Sequence, residues 1–237
     1  PLVARRRFVM KKGLGGGKEM KQWIPEDILK KYDVANYNHA AEILSQSFPE
    51  EFSDVIYALR QFAFSTKDIL TAGGNKSDIP LKIAHILEPR EWREIRISGD
   101  LSIKFYMRSG ERSGAFSSTP YTEKTIKNYI DGHNIDHVKG RVALDVEWNS
   151  KDQTFDRDLF AMRTYHECDI ISAGIIITRS EKLNPVFRRL GVSTKYGAST
   201  TWMGKLLPRL DSRRHGACPI LAIGITPQTM VDLEETL

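Results

Sequence analysis

Three acidic residues near the middle of the sequence have a spacing that suits phosphodiester chemistry. Asp136 precedes Asp145 by nine residues, and Glu147 follows Asp145 by two. Residues two apart on a strand lie on one face, so Asp145 and Glu147 would be neighbours, and Asp136 could join them from an adjoining strand. Three clustered carboxylates repel each other, and all-oxygen ligation favours a hard cation such as Mg²⁺. Such an ion can polarise a phosphate oxygen and activate a water molecule.

The same spacing also fits acids on a solvated face of a sheet, and spacing alone leaves both interpretations open. The segment Arg141–Trp148 is predicted to be a strand with apolar side chains on one face and both acids on the other. The surrounding pattern predicts an α/β fold with a mixed central β-sheet flanked by helices. The predicted helices are Ala40–Leu44, Phe52–Phe62, Ile79–Leu87, Glu123–Ile130, Phe155–Glu167, Glu181–Leu190 and Thr200–Arg209; the predicted strands are Trp92–Ile97, Leu101–Met107 after a Gly99–Asp100 turn, Arg141–Trp148, Asp169–Thr178 and Pro219–Ile225.

Length and composition restrict the class of protein. The chain has 237 residues, of which 41% are hydrophobic and 27% charged, which is typical of a globular domain and excludes a wholly disordered chain. Residues 1–22 have no apolar period and are predicted to be a flexible basic arm or a cloning remnant, followed by a single domain over 23–237. No apolar stretch is long enough to span a membrane. Two cysteines without C-x-x-C spacing predict a reduced, intracellular compartment.

Basic residues are concentrated in two segments. Residues 1–22 contain seven Lys or Arg and one Glu, and residues 179–214 contain nine Lys or Arg and two acids. The second segment could face phosphates, or it could be a solvated surface. The Gly-rich stretch from Gly13 to Lys18 lacks phosphate-loop spacing and a preceding strand, so no nucleotide cofactor is expected.

The segment from Asp136 to Trp148, with its sequence Val-Ala-Leu-Asp-Val-Glu-Trp, resembles the active-site hairpin of the BglII and BstYI type II restriction endonucleases. These belong to the PD-(D/E)xK superfamily, in the BamHI-like branch. Further likeness follows in family order from about Asn36 to about Pro227, at the segments Tyr37–Leu44, Glu91–Arg93, Ile175–Thr178 and Pro219–Gly224.

The resemblance implies roles for individual residues. Asp136 and Asp145 match the family's metal-binding acids, and the Val146 carbonyl is a further expected metal ligand. Glu147 occupies the place of the superfamily's signature Lys, where it would contact the attacking water or tune the metal. Glu94 lies near a fourth active-site position. The implied activity is Mg²⁺-dependent cleavage of double-stranded DNA at a short palindrome by a homodimer in the prokaryotic cytoplasm, leaving 5′-phosphate ends.

Base reading in this family comes from a loop beside the hairpin and from the start of a later helix. By position, these DNA-binding residues are Asn149, Ser150, Lys151, Ser199 and Thr200, whose side chains can hydrogen-bond base edges. Ser199 or Thr200 could instead be the N-cap of the following helix. Two rival functions stay open: a repair or junction nuclease of the same fold, and a sequence-specific DNA-binding protein disabled by Glu147 in place of Lys.

Overall fold

The computed structural model describes residues 20–71, 78–108, 110 and 114–233. The helices are α1 (Glu26–Lys31), α2 (Ala40–Ser47), α3 (Pro49–Gln61), α4 (Thr66–Leu70), α5 (Asp78–Leu87), α6 (Thr154–Glu167), α7 (Asn184–Arg189) and α8 (Met203–Asp211). The strands are β1 (Tyr32–Tyr37), β2 (Arg93–Phe105), β3 (Thr122–Lys139), β4 (Val142–Glu147), β5 (Ala173–Arg179) and β6 (Ile220–Ile225). Short 3₁₀ turns lie at Glu88–Arg90, Glu181–Leu183 and Pro227–Thr229.

The strands form a mixed six-stranded sheet in the order β1-β6-β5-β4-β3-β2. The central strands β4, β5 and β6 are parallel, whereas β1 pairs antiparallel with β6 and β3 antiparallel with β4. Every residue of the three parallel strands is buried, as expected for strands covered on both faces. The predicted α/β class with a mixed sheet flanked by helices is therefore confirmed.

The two faces of β4 have different surroundings. Val142, Leu144, Val146 and Trp148 belong to the hydrophobic core that includes buried residues of α2, α3 and α5. Asp145 and Glu147 alternate with them and so lie on the other face, where α6 packs against β4. On the face that carries the two acids, β4 is therefore covered by α6, whose own residues complete the site.

Contact density divides the chain into two compact units. Residues 94–135 form one unit, which contains most of β2 and β3, and the described residues up to 93 together with those from 136 form the other. Met20 is buried in the hydrophobic core of the larger unit, although it lies inside the segment 1–22 predicted as an arm. Residues 1–19 of that arm lie outside the described residues, so the 1–22 and 23–237 boundaries stay a prediction.

Two predictions in the smaller unit are wrong. No turn interrupts the chain at Gly99–Asp100, because β2 runs unbroken through it and the Asp100 carboxylate accepts a hydrogen bond from the Asn128 N–H at 2.9 Å. The helix predicted over Glu123–Ile130 is part of β3. Ile126 and Ile130 are four apart, a spacing that places side chains on one face of a strand as well as of a helix.

Three elements of the larger unit also differ from expectation. The strand β1 was not predicted. The expected helix over 181–190 is divided into a 3₁₀ turn and α7 at Asn184, next to Pro185. The helix expected to start at Thr200 starts at Met203; its N-cap is Trp202, which makes no side-chain cap hydrogen bond, so the N-cap interpretation of Ser199 or Thr200 is wrong.

Candidate active site

Asp136 and β4 are joined by two reciprocal hydrogen bonds. The backbone N–H of Asp136 donates to Asp145 Oδ1 at 2.9 Å, and the backbone N–H of Val146 donates to Asp136 Oδ2 at 3.0 Å. Antiparallel pairing of β3 with β4 at His137 and Leu144 places these groups opposite one another. The side chain of each aspartate is thus held in position by the backbone of the other strand.

Asp145 is a buried carboxyl with an unused oxygen. Its side chain is only 4% exposed, and among the described residues nothing hydrogen-bonds its Oδ2 atom. Burial raises the pKa of the Asp145 carboxyl well above its usual range, and the charges of Asp158 and Asp136 raise it further. A buried acceptor without a partner costs free energy, so the fold holds this oxygen in an unfavourable state.

Glu147 lies beside Asp145 on the same face and is also buried. Thr154 Oγ1 donates to Glu147 Oε2 at 3.1 Å, and the side chains of Ser150 and Asp158 also hydrogen-bond this carboxylate. Burial raises the pKa of Glu147, the hydrogen bonds act in the opposite direction, and the charge of Asp136 adds to the increase. Glu147 is therefore held in a fixed orientation by neighbours that follow it in the sequence.

Asp158 is a fourth acid at this site, and the sequence analysis missed it. It lies on α6, is 1% exposed and shares a hydrogen bond with Glu147. Burial and the charge of Glu147 raise the pKa of Asp158 well above its usual range. The sequence around Asp158 contains a pattern that could have identified it. Asp158 forms an i, i+3, i+4, i+7 set with Phe155, Leu159 and Met162, so an acid occupies a core position of an amphipathic helix.

The donor set of this acidic cluster, Asp136, Asp145, Glu147 and Asp158, suits a hard divalent cation. All of its side-chain donors are carboxylate oxygens, and the unused Asp145 Oδ2 is available to one. A cation would also relieve the repulsion that raises the pKa of Asp145, Glu147 and Asp158. Across the described ranges, however, no three His, Cys, Asp or Glu side chains are already arranged as a metal-binding group. The expected metal-binding role of Asp136, Asp145 and Val146 stays a prediction.

The fourth predicted active-site residue, Glu94, lies in the unit of residues 94–135. Its side chain is exposed and accepts a hydrogen bond from Asn134 Nδ2 at 3.1 Å. The structure brings Asp136, Asp145 and Glu147 together, whereas Glu94 makes its hydrogen bond inside its own unit. A catalytic role for Glu94 stays a prediction.

The two loops predicted to read DNA bases are joined to each other. Lys151 and Thr200 form an antiparallel β-bridge, the Ser150 N–H donates to Thr201 Oγ1 at 3.1 Å, and the Asp152 N–H donates to the Ser199 carbonyl at 3.0 Å. The chain distance between these loops is about fifty residues, so only the fold could show the connection. We call residues 149–151 with 199–201 the paired loops.

The side chains of the paired loops differ in their exposure and in their hydrogen bonds to the rest of the protein. Lys151 and Ser199 are exposed. Thr200 Oγ1 accepts a hydrogen bond from Arg179 Nη2 at 2.5 Å and donates to the Gly197 carbonyl at 2.7 Å. Asn149 has a left-handed backbone with φ 64°, and no described residue bonds its buried Oδ1 atom. Thr200 is therefore a structural link inside the protein, whereas Lys151 and Ser199 are open to a ligand.

The mixed six-stranded sheet flanked by helices is that of a restriction-endonuclease-like α/β fold. The family model for the restriction endonucleases BglII/BglIII matches residues 32–225, which is more than half of the chain. The chain belongs to this family and is a type II site-specific deoxyribonuclease that acts on double-stranded DNA. A search of curated proteins found no match. Among the described helices, none combines the length and apolar composition that crossing a bilayer requires.

Proposed function

We propose that this restriction endonuclease hydrolyses both strands of DNA at a short palindromic sequence, uses Mg²⁺ and leaves 5′-phosphate and 3′-hydroxyl ends. The observation that supports this most strongly is the buried, unused Oδ2 of Asp145, a residue that is hydrogen-bonded to Asp136 and shares a strand face with Glu147. Retaining a buried acid with one unpaired oxygen is costly for the fold, which is reasonable where a ligand completes the site. In a prokaryotic cell this reaction would take place in the cytoplasm.

Asp136 and Asp145, with the Val146 carbonyl, would hold the divalent ion. When bound, the ion supplies charge stabilisation at the phosphate and a more acidic water molecule. Glu147 is the candidate to accept the proton of the attacking water, because its raised pKa brings proton exchange closer to neutral pH. Thr154 and Asp158 act on Glu147 by fixing its orientation and sharing its proton. Attack at phosphorus breaks the P–O3′ bond, and the 3′ oxygen takes up a proton from solvent.

The paired loops supply the proposed sequence recognition. Asn149, Ser150, Lys151, Ser199 and Thr200 all lie at the edge where β4 and β5 end, which is where ligands bind in parallel sheets. A homodimer with two-fold symmetry would present two such loop pairs and two acidic clusters to the two strands of a palindrome. We further propose that residues 23–237 work as one catalytic and DNA-binding domain, with Glu94 as an additional active-site acid.

The test is digestion of a long unmethylated DNA in Mg²⁺, followed by sequencing of the fragment ends and labelling of their 5′ termini before and after phosphatase. We expect discrete fragments with a common palindromic end, and termini that accept label only after phosphatase. Asp145→Asn should leave the DNA intact. Its matched control is Asp169→Asn, since Asp169 is an exposed acid paired with Arg141 on the surface. Random fragments would favour a structure-dependent nuclease. Intact DNA that still shows a site-specific mobility shift in Ca²⁺ would leave only a DNA-binding protein.

A further inference from the structure

A cavity of about 290 Å³ lies beside the carboxyl end of β5, and no residue of the acidic cluster is among those found to line it. Its polar lining consists of Arg179, Arg188, Asn184 and Ser193, and its aromatic walls include Phe187 and Tyr196. None of the residues found to line it in the described structure is acidic. The lining therefore has two positive charges and neutral hydrogen-bonding groups, which suits an anion.

Arg179 is the unusual member of this lining. It is 1% exposed, and its guanidinium lies 5.5 Å from the Phe187 ring centroid and 5.8 Å from that of Tyr196. Its Nη2 donates to the Tyr196 carbonyl at 3.1 Å and to Thr200 Oγ1, but no described residue accepts a hydrogen bond from Nε. No salt bridge to it occurs in the described chain, and burial lowers the pKa of Arg179 to about 10.

A buried arginine without a carboxylate partner is costly, because desolvation of the charge is not offset by an opposite charge. The aromatic rings offset part of this cost. An anionic ligand that reached Arg179 and Arg188 would offset more of it. The exposed Arg188 provides a second charge on α7 at the cavity.

We propose that this cavity binds one phosphate group of the DNA backbone, with Arg179 and Arg188 as the charged partners and Asn184 and Ser193 as neutral ones. This assignment rests on the proposed function. A backbone phosphate is favoured over a free anion because the cavity adjoins the paired loops: Arg179 is bonded to Thr200, and Thr200 is bridged to Lys151. A DNA strand contacting the exposed loop side chains would bring its phosphates to the same edge of the sheet.

The hydrogen bonds also connect the cavity to the acidic cluster. From Arg179 the connection runs to Thr200, then across the bridge to Lys151. Thr154 Oγ1 lies within hydrogen-bonding distance of both the Lys151 carbonyl, at 2.8 Å, and Glu147 Oε2, at 3.1 Å. Arg179 is accordingly a positioning residue, through which an occupied cavity holds the paired loops beside the site.

The test uses the full chain and a duplex containing the site mapped by digestion, with Ca²⁺ replacing Mg²⁺ so that binding is measured without cleavage. Each phosphate is replaced in turn by an uncharged methylphosphonate. Arg188→Ala removes the exposed charge at the cavity, and Arg189→Ala is the matched control, an adjacent exposed arginine of α7 that does not line it. Neither change alters a buried side chain, so both variants should fold.

We expect one phosphate position in each half-site at which the methylphosphonate weakens binding by wild type and by Arg189→Ala about fivefold or more, but weakens binding by Arg188→Ala clearly less, because only Arg179 then remains as a charged partner. The slope of log K against log salt should fall by about 0.9 for each phosphate that Arg188→Ala no longer neutralises. Arg179→Lys tests the positioning role of Arg179. This variant should lower the single-turnover cleavage rate more than it lowers the affinity for DNA.

Identical methylphosphonate profiles in all variants, with normal wild-type binding, would overturn the cavity assignment alone. A wild-type protein that binds no duplex would overturn the proposed function and this assignment together. Inorganic phosphate is compared with chloride at equal ionic strength to separate the two sources of a phosphate group. Thermal stabilisation of wild type but not of Arg188→Ala by inorganic phosphate, without any discriminating position in the DNA, would identify a free-anion site and contradict the proposal.

Discussion

Acidification should destabilise the fold through one buried histidine, His215. Its ring is 1% exposed and packs edge-on against Tyr37 with centroids 5.8 Å apart, and no described residue bonds either ring nitrogen. Burial, followed by the charge of Arg213, lowers the pKa of His215 to about 4 from an ordinary value of 6.5. Between these two pH values the unfolded chain binds the proton and the folded chain does not, so stability falls as the pH falls.

The size of the effect follows from the difference in pKa. A shift of about 2.5 units at about 1.4 kcal/mol per unit sets an upper limit of roughly 3 kcal/mol. Between pH 7.5 and pH 4.5, His215 should account for about 2 to 3 kcal/mol of lost unfolding free energy. This is a large fraction of the 5 to 15 kcal/mol typical of a folded domain.

Urea unfolding of wild type and His215→Leu at several pH values between 4.5 and 7.5 measures this contribution. Leucine has no ionisable group, so the wild-type advantage over the variant should shrink by about 2 to 3 kcal/mol as the pH falls across this window. Any fixed packing cost of the leucine cancels in that comparison. Arg213→Ala should reduce the pH dependence in part, because the Arg213 charge is the second cause of the shift. Parallel pH profiles for wild type and His215→Leu would refute the reasoning.

Three further results are expected. Asp158→Asn should raise the melting temperature in metal-free buffer at pH 7. Burial raises the pKa of Asp158 well above its usual range, so the charged form of this side chain destabilises the fold. Calorimetry showing a lower melting temperature for the variant would contradict this. Thr154→Val should lower the single-turnover cleavage rate about tenfold with unchanged affinity, because Glu147 loses a hydrogen bond. Equal rates for wild type and the variant would argue against a role of Thr154 in orienting Glu147. Gly174→Ala should lower the free energy of unfolding, measured in urea, by about 1 to 3 kcal/mol. The added Cβ would lie 2.6 Å from Met162 Sδ, which is too close. An unchanged free energy of unfolding would mean that Met162 does not pack against Gly174.

The sequence predicted those elements whose pattern is determined locally. β5 and β6 are short apolar runs, β4 has an alternating pattern and α6 has a regular apolar stripe, so these elements were found, although β5 begins at Ala173 and not at the predicted Asp169. The strand β1 was missed because only Tyr32 and Ala35 of its six residues are buried, which gives no clear alternation at a sheet edge. Its pairing with β6 is a contact over nearly two hundred residues.

The acidic site was predicted in part for a similar reason. Period-two spacing on one strand located Asp145 and Glu147 together, and the hairpin brought Asp136 to them. The apolar stripe of α6 marks Asp158 as facing the core, but its position beside Glu147 depends on how α6 packs on the sheet, which that stripe does not specify. Thr200 is not the helix cap, and its base-reading role stays a prediction; its contacts with Arg179 and Lys151 are long-range and no local pattern shows them.

Cleavage by an isosteric variant of Asp145 tests most directly whether the acidic cluster is the reaction centre. Single-turnover rates on the mapped site in Mg²⁺ would be compared for wild type, Asp145→Asn and the surface control Asp169→Asn, with affinities measured in Ca²⁺. We expect Asp145→Asn to lose at least about a hundredfold in rate while it stays folded and binds the site, and Asp169→Asn to match wild type. Wild-type cleavage by folded Asp145→Asn would contradict the assignment of the reaction to these acids.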